Sequence, residues 1–146
     1  MIRSYLQNDK SQVIELLRKN TPEYFAAAEE KDLSHYLAHE MEDYFVFEKN
    51  HIIQGAGGIN YFPAEQTARL SWDLIDPAHQ GTGIGSALTR YRIDMLKKQS
   101  EIHHIMVRTS QLVYPFYEKM GFKLELIEKD YWAKNFDLYL MKMSKY

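Results

Sequence analysis

Three glycines at alternate positions, Gly81, Gly83 and Gly85, directly precede a segment with the apolar periodicity of an amphipathic helix. The first turn of a helix carries backbone N–H groups that have no partner within the helix, and the helix dipole adds partial positive charge there. Glycine also lets a bulky anion approach these amides without meeting a Cβ atom. The stretch "HQGTGIGSAL" therefore predicts a phosphate or pyrophosphate site, and the alternative is a turn that only connects two elements.

Three phosphate-binding motifs compete for this stretch. A P-loop requires a lysine after its last glycine, but Ser86 follows Gly85. A dinucleotide fingerprint requires Gly-x-Gly-x-x-Gly, which Gly81, Gly83 and Ser86 match imperfectly. Glu101 lies at the distance of the ribose-binding acid, but it precedes its predicted strand, whereas that acid follows a strand. A Rossmann-type nucleotide-binding module is therefore the weaker interpretation.

The third motif fits best. "QGTGIG", residues 80–85, resembles the Gln/Arg-x-x-Gly-x-Gly/Ala signature of the GNAT superfamily of acyl-CoA-dependent N-acyltransferases. "VYPFYEKMGF", residues 113–122, resembles that family's "FYEKxGF" helix and strand, and the order of predicted elements is also similar. The resemblance covers nearly the whole chain. It implies direct transfer of an acetyl group from acetyl-CoA to a primary amine of a small molecule or peptide, without a metal. A non-catalytic acyl-CoA-binding domain of the same fold is the alternative.

The elements that must position these motifs follow from periodicity and turn residues. They run β-α-α-β-β-β-α-β-α-β-β, with Thr21 and Pro22 predicted to begin the second helix. This order favours an α/β (α+β) fold with a mixed sheet and helices on both faces, in a single domain over residues 1–146. The resemblance further implies a mostly antiparallel sheet with one splayed pair of parallel strands.

The resemblance also implies a set of acetyl-CoA-binding residues. They comprise the end of the strand before the glycines, whose backbone would pair with the pantetheine arm, the glycine stretch itself, and one serine before the later helix. This serine, Ser110, also suits a helix N-cap. The set is Asp73, Leu74, Ile75, Gln80, Gly81, Thr82, Gly83, Ile84, Gly85, Ser86 and Ser110.

Tyr117 is the predicted catalytic residue, because the resemblance puts it beside the sulfur of acetyl-CoA. A tyrosine is protonated at neutral pH and can give its proton to the departing thiolate. The alternative is a packing role beside Phe116. The general base stays unassigned: Asp73, His103 and His104 are candidates, and ordered water can relay the proton instead.

Acidic residues are frequent where the resemblance implies the acceptor site. Residues 21–44 contain seven acids and one lysine, and a later loop brings Asp130, Tyr131 and Trp132. Carboxylates and aromatic faces suit a cationic amine, by charge attraction and cation–π contact. A solvated acidic helix face is the alternative. The seven acids are Glu23, Glu29, Glu30, Asp32, Glu40, Glu42 and Asp43.

The composition narrows the remaining function classes. The formal net charge of −2 disfavours nucleic-acid binding. The absence of cysteine excludes disulfides and cysteine-based metal sites. His35 and His39 are four residues apart on a predicted helix, but no third metal ligand is evident. No apolar run reaches the roughly 20 residues of a membrane span. We therefore expect a cytoplasmic protein without a membrane partner or metal, and a homodimer is left open.

Overall fold

The computed structural model describes residues 1–144, which form one seven-stranded sheet with helices on both faces. The strands are β1 (Ile2–Ser4), β2 (Asp43–Lys49), β3 (Ile52–Phe62), β4 (Thr67–Ile75), β5 (His104–Thr109), β6 (Lys123–Ala133) and β7 (Phe136–Ser144). The helices are α1 (Lys10–Lys19), α2 (Glu29–His35), α3 (Ile84–Lys97) and α4 (Tyr114–Lys119). The strand order is β1-β2-β3-β4-β5-β7-β6, and β4 and β5 are parallel while the other neighbours are antiparallel. The predicted α/β fold and element order are confirmed.

Two apolar clusters cover the two faces of the sheet. On one face, α1 buries Val13, Leu16 and Leu17, whose spacing places them on a single helical stripe. On the other face, α3 buries residues such as Leu88 and Leu96 against the central strands. No helix within residues 1–144 is both long and apolar enough to span a bilayer.

The second helix begins later than the sequence predicts. The Thr21 hydroxyl donates a hydrogen bond to the carbonyl of Leu17 at 2.8 Å, so this side chain closes the end of α1. It therefore does not cap a new helix, and the prediction that Thr21 and Pro22 begin one is wrong. Residues 21–28 form turns, and α2 is followed by a π-helical turn over Tyr36–Glu40.

The parallel strands β4 and β5 separate halfway along β4. Their pairing runs from Thr67 opposite His104 to Leu70 opposite Val107 and stops there. Strand β4 continues to its end alongside β3, with a β-bulge in which Trp72 and Asp73 oppose the single residue Gly57. Trp72 has a φ of +51° at this bulge. The implied splay between two parallel strands is therefore present, and a gap opens at their carboxyl ends.

Candidate active site

A cleft of about 650 Å³ occupies the gap between the two separated strands. It is lined by the second half of β4, the end of β5, the start of α3 and one side of α4. It also reaches the segment before α2 and the turn between β6 and β7. Both predicted motifs therefore contribute to one opening in the molecule.

The glycine stretch forms the turn that enters α3. Gly81 and Gly83 have φ values of +80° and +91°, which glycine adopts without strain. A Cβ atom on either residue would meet no other heavy atom within 4 Å, so the space above this turn is open. Helix α3 begins at Ile84, directly after this turn.

The amides at the start of α3 are left available by the protein itself. The N-cap residue Gly83 makes no side-chain cap, and no side chain of residues 1–144 accepts a hydrogen bond from the amides of residues 83–86. Gln80, Gly81 and residues 83–86 line the cleft. Thr82 does not line the cleft; its hydroxyl donates to the carbonyl of His79 within the turn. This geometry can hold an anion by backbone hydrogen bonds and by the helix dipole.

The turn ahead of the glycines is fixed to α1. Asp76 accepts a hydrogen bond from the amide of Ala78 at 3.0 Å and forms an ion pair with Lys19 at 3.1 Å. The side chain of Asn20 donates to the carbonyl of Ile75 at 2.9 Å. These contacts hold the end of β4 in place and thereby set the position at which α3 begins.

Tyr117 lies at the bottom of the cleft and is 4% exposed. Its hydroxyl donates a hydrogen bond to Oδ2 of Asp73. Burial raises the pKa of Tyr117 well above its usual value of 10, and the negative charge of Asp73 raises it further. The phenol is therefore protonated at neutral pH, as a proton donor must be.

Asp73 connects Tyr117 to a buried arginine that the sequence analysis missed. Nη1 of Arg92, on α3, lies 2.5 Å from Oδ1 of Asp73 and also donates to the carbonyl of Gly58 at 3.0 Å. Arg92 is 1% exposed, and its Nε donates to the carbonyl of Leu88. Its position four residues after Leu88, on the apolar stripe of the helix, was a signal available in the sequence. A cation on a buried stripe requires a partner, and Asp73 supplies it.

The bulge and a glycine make room for this ion pair. A Cβ atom on Gly57 would lie 2.6 Å from Oδ1 of Asp73 and 2.8 Å from Nη1 of Arg92. Such distances are shorter than van der Waals contact, so a side chain at this position would force both charged groups to shift. The glycine-rich sequence of β3 thus serves the close approach of two charged side chains to its backbone.

The other predicted cofactor-binding residues divide between the cleft and the core. Ile75 and Ser110 line the cleft, and the amide of Leu112 donates to Oγ of Ser110 at 3.2 Å. The side chain of Leu74 faces the opposite way and is buried in the cluster around α1. A role of Leu74 in binding would therefore involve its backbone.

Of the three candidate bases, Asp73 is the one that lines the cleft. His103 directly precedes β5, and His104 begins it opposite Thr67, at the end of the parallel pairing away from the cleft. The ring of His104 contacts Oγ of Ser144 at 3.3 Å. Neither histidine lines the cleft.

The acidic residues expected around the acceptor are mostly engaged elsewhere. Glu29 is the one that lines the cleft; it is buried, accepts a hydrogen bond from the amide of Ala26 at 2.8 Å, and burial raises its pKa. Glu30 pairs with Arg18 at the surface. Glu42 and Asp43 accept hydrogen bonds from polar groups of β3. Most of this negative charge therefore lies outside the cleft.

The turn between β6 and β7 brings an aromatic wall to the cleft. The carboxylate of Asp130 accepts a hydrogen bond from the amide of Asn135 at 2.7 Å and closes this turn. Trp132 lines the cleft and donates its indole N–H to the carbonyl of Thr109 at 3.2 Å. Two arginines missed in the sequence analysis, Arg69 and Arg108, line the same end of the cleft.

Residues 1–144 contain no grouping of three metal-ligating side chains. The rings of His35 and His39 do approach each other, with centroids 4.9 Å apart, but without a third ligand.

Comparison with known proteins identifies a family and a shared fold. A family model described as an acetyltransferase (GNAT) domain matches residues 9–145. The chain resembles the crystal structure of the ribosomal-protein-S18-alanine N-acetyltransferase from Escherichia coli, with a TM-score of 0.80, 19% identity, and coverage of 99% of this chain and 92% of that one. It also resembles an aminoglycoside 6'-N-acetyltransferase solved with coenzyme A, with a TM-score of 0.76, 16% identity, and coverage of 99% and 96%. A spermidine N-acetyltransferase from Vibrio cholerae gives a TM-score of 0.73, 17% identity, and coverage of 99% and 94%. No curated protein matches the sequence.

Proposed function

The chain belongs to the GNAT acetyltransferase family, and from that premise we propose that it transfers an acetyl group from acetyl-CoA to a primary amine of a small molecule or peptide. One observation carries this proposal: the free amides at the start of α3 and the Tyr117 hydroxyl open onto a single cleft. The amides supply a site for the anionic end of the donor, and Tyr117 supplies a proton at the other end.

The donor would lie along the splayed strands. Its pyrophosphate accepts hydrogen bonds from the amides of residues 83–86, with the Gln80 side chain beside them. Beyond Leu70, β4 has no pairing with β5, so the strand offers backbone groups to the amides of the pantetheine arm. This arrangement directs the thioester into the cleft toward Tyr117.

The reaction is a direct attack on the thioester. The neutral amine nitrogen bonds to the carbonyl carbon, and a tetrahedral intermediate then collapses with cleavage of the carbon–sulfur bond. Tyr117 gives its proton to the departing thiolate. The nitrogen loses one proton, which restores Tyr117 directly or through ordered water, with Asp73 next to the hydroxyl as the candidate relay. Protons therefore balance from the neutral amine onward, and an acceptor that arrives as an ammonium ion first releases one proton to solvent.

The same geometry also keeps one alternative open. The Tyr117 hydroxyl donates to Asp73, so its proton is engaged within the protein before any donor binds. This contact favours, as the second candidate, an acyl-CoA-binding domain without catalysis.

A turnover assay separates these two functions. Thiol release from acetyl-CoA is measured across diverse primary amines, with the acetylated product identified by mass spectrometry and donor binding measured by calorimetry. We expect amine-dependent thiol release and an N-acetylated product. Tight donor binding without turnover on any amine would support the binding domain and overturn the enzymatic proposal.

A further inference from the structure

We propose that the amine accepted by this protein also carries a carboxylate, which Arg69 and Arg108 bind at the end of the cleft away from the glycine turn. The inference rests on the proposed function, because it names the class of acceptor for that site. Neither arginine belongs to a sequence motif described above.

The two arginines are neighbours on one face of the sheet. Strands β4 and β5 pair in parallel with Arg69 opposite Met106, so Arg108 lies two residues further along β5 on the same face. The adjacent residues Leu70 and Val107 belong to the core cluster around α3. The arginines therefore project to the opposite face, where both line the cleft.

Neither guanidinium has a counter-ion among the described residues. Arg69 contacts Oγ of Ser71 at 3.5 Å and Arg108 contacts the hydroxyl of Tyr131 at 3.4 Å, and both contacts are long and to neutral groups. Ion pairs within residues 1–144 involve other cations. Glu40 attracts Arg69 only from beyond ion-pair distance.

The acids in the cleft cannot supply the missing charge. Asp73 is already paired with Arg92 and hydrogen-bonded by Tyr117. Glu29 accepts a backbone hydrogen bond, and its raised pKa reflects the cost of its burial. The part of the cleft around the arginine pair therefore has excess positive charge.

Aromatic rings hold the two guanidinium groups. Arg69 lies 5.0 Å from the centre of the Phe62 ring, and Arg108 lies 5.4 Å from that of Trp132. These cation–π contacts use no hydrogen-bond acceptor, so N–H groups of both guanidinium groups remain available for an oxyanion. Burial, together with the positive charge of Arg108, lowers the pKa of Arg69. An anionic ligand would offset both the burial of Arg69 and its repulsion by Arg108 through charge-assisted hydrogen bonds.

The test compares matched acceptors that differ only at the acidic group. Amino acids with short and long spacers between amine and carboxylate are assayed beside their carboxamides and aminophosphonate analogues. We expect kcat/KM for at least one amino acid to exceed that for its carboxamide by roughly 10- to 100-fold, because hydrogen bonds to charged groups are lost in the amide. Arg69→Gln and Arg108→Gln should each reduce this ratio, while the control Arg90→Gln, at an exposed position on α3, should leave it unchanged. Acetyl-CoA affinity, measured for each variant, reports correct folding.

Three outcomes would overturn the carboxylate assignment: equal rates for acids and amides, a ratio unaffected by both arginine variants, or a consistent preference for the aminophosphonates. Calorimetric binding of the same amino acids to the CoA-bound protein keeps the inference separate from the proposed function. Binding that the arginine variants abolish, without turnover, would support the carboxylate site while contradicting the enzyme. Turnover of amines without an acidic group, with no binding of amino acids, would support the enzyme while contradicting the carboxylate site.

Discussion

In the proposed reaction, the Tyr117 hydroxyl is the group on which the chemistry depends. We expect Tyr117→Phe to lower kcat by roughly 10²- to 10⁴-fold, the usual contribution of a positioned proton donor. Acetyl-CoA affinity should change little, because the phenyl ring and its packing remain. Steady-state kinetics with calorimetry check both quantities. Tyr114→Phe is the matched control: it lies on the same helix, but its ring packs on Tyr139 and does not line the cleft. Equal losses in both variants would contradict the role of Tyr117.

The raised pKa of Tyr117 makes a prediction about pH. In the proposed mechanism the residue acts in its protonated form, and burial moves the loss of that form above pH 10. With a saturating acceptor, kcat should therefore show no alkaline decline from this group between about pH 7 and 10. A decline with a midpoint below about pH 9 that Tyr117→Phe removes would contradict this assignment.

Gly83 tests the anion site at the level of a single backbone position. Alanine there is strained because φ is +91°, and its Cβ would enter the open space above the turn, where we propose that the pyrophosphate binds. We expect Gly83→Ala to cost about 1–2 kcal/mol of stability and to weaken acetyl-CoA binding about tenfold or more. Gly121→Ala is the control, since Gly121 has a φ of +105° outside the cleft. Gly121→Ala should lose similar stability but retain its affinity for acetyl-CoA. Thermal unfolding measures the stability, and calorimetry measures the affinity. Equal affinities for acetyl-CoA in the two variants would refute the anion site.

At the scale of elements, the β-bulge in β4 is what turns Asp73 toward Tyr117 and Arg92. Gly57→Ala would place a Cβ within 3 Å of both charged groups, and such overpacking costs about 1–3 kcal/mol. We expect a lower free energy of unfolding in urea together with a reduced kcat. If the free energy of unfolding and kcat both equal those of the wild type, the ion pair does not need the space above Gly57.

The parts of the candidate site that could be predicted are those formed by residues close together in the sequence. The glycine turn and the Tyr117 helix are each encoded within about ten residues, so both could be located without knowing the fold. Arg92, Arg69 and Arg108 come to line the cleft through contacts between elements distant in sequence, which periodicity does not specify. The prediction for Thr21 was wrong because its hydroxyl has two possible uses. It could accept from an amide at the start of a new helix or donate to a carbonyl at the end of α1, and it does the second.

At the scale of the whole molecule, an ionic cluster joins the first strand to the rest of the sheet. Arg3 pairs with Asp9 at 2.8 Å and with Glu48 at 3.1 Å, and Asp9 also accepts a hydrogen bond from the amide of Leu6. The hydrogen bond from Arg3 lowers the pKa of Asp9. A carboxylate with a lowered pKa in the folded state stabilises it above its unfolded pKa, and this stabilisation is lost as the pH falls through the folded value.

Asp9→Asn should therefore destabilise the protein in a pH-dependent way. We expect a loss of about 2 kcal/mol at pH 7. The loss shrinks as the pH falls below the unfolded pKa of about 4, and it disappears once the pH is below the lowered pKa of Asp9 in the folded protein. Urea unfolding across this pH range measures the difference. Glu125→Gln, at an exposed position on β6, is the control. A loss of equal size at all pH values would contradict an electrostatic origin.

The splayed sheet unites these features, because it opens one cleft between the glycine turn and Tyr117. A crystal structure of the protein with acetyl-CoA tests this central claim most directly. We predict pyrophosphate oxygens within hydrogen-bond distance of the amides of residues 83–86 and the thioester sulfur beside the Tyr117 hydroxyl. A pyrophosphate bound away from those amides, or a thioester directed away from Tyr117, would contradict it.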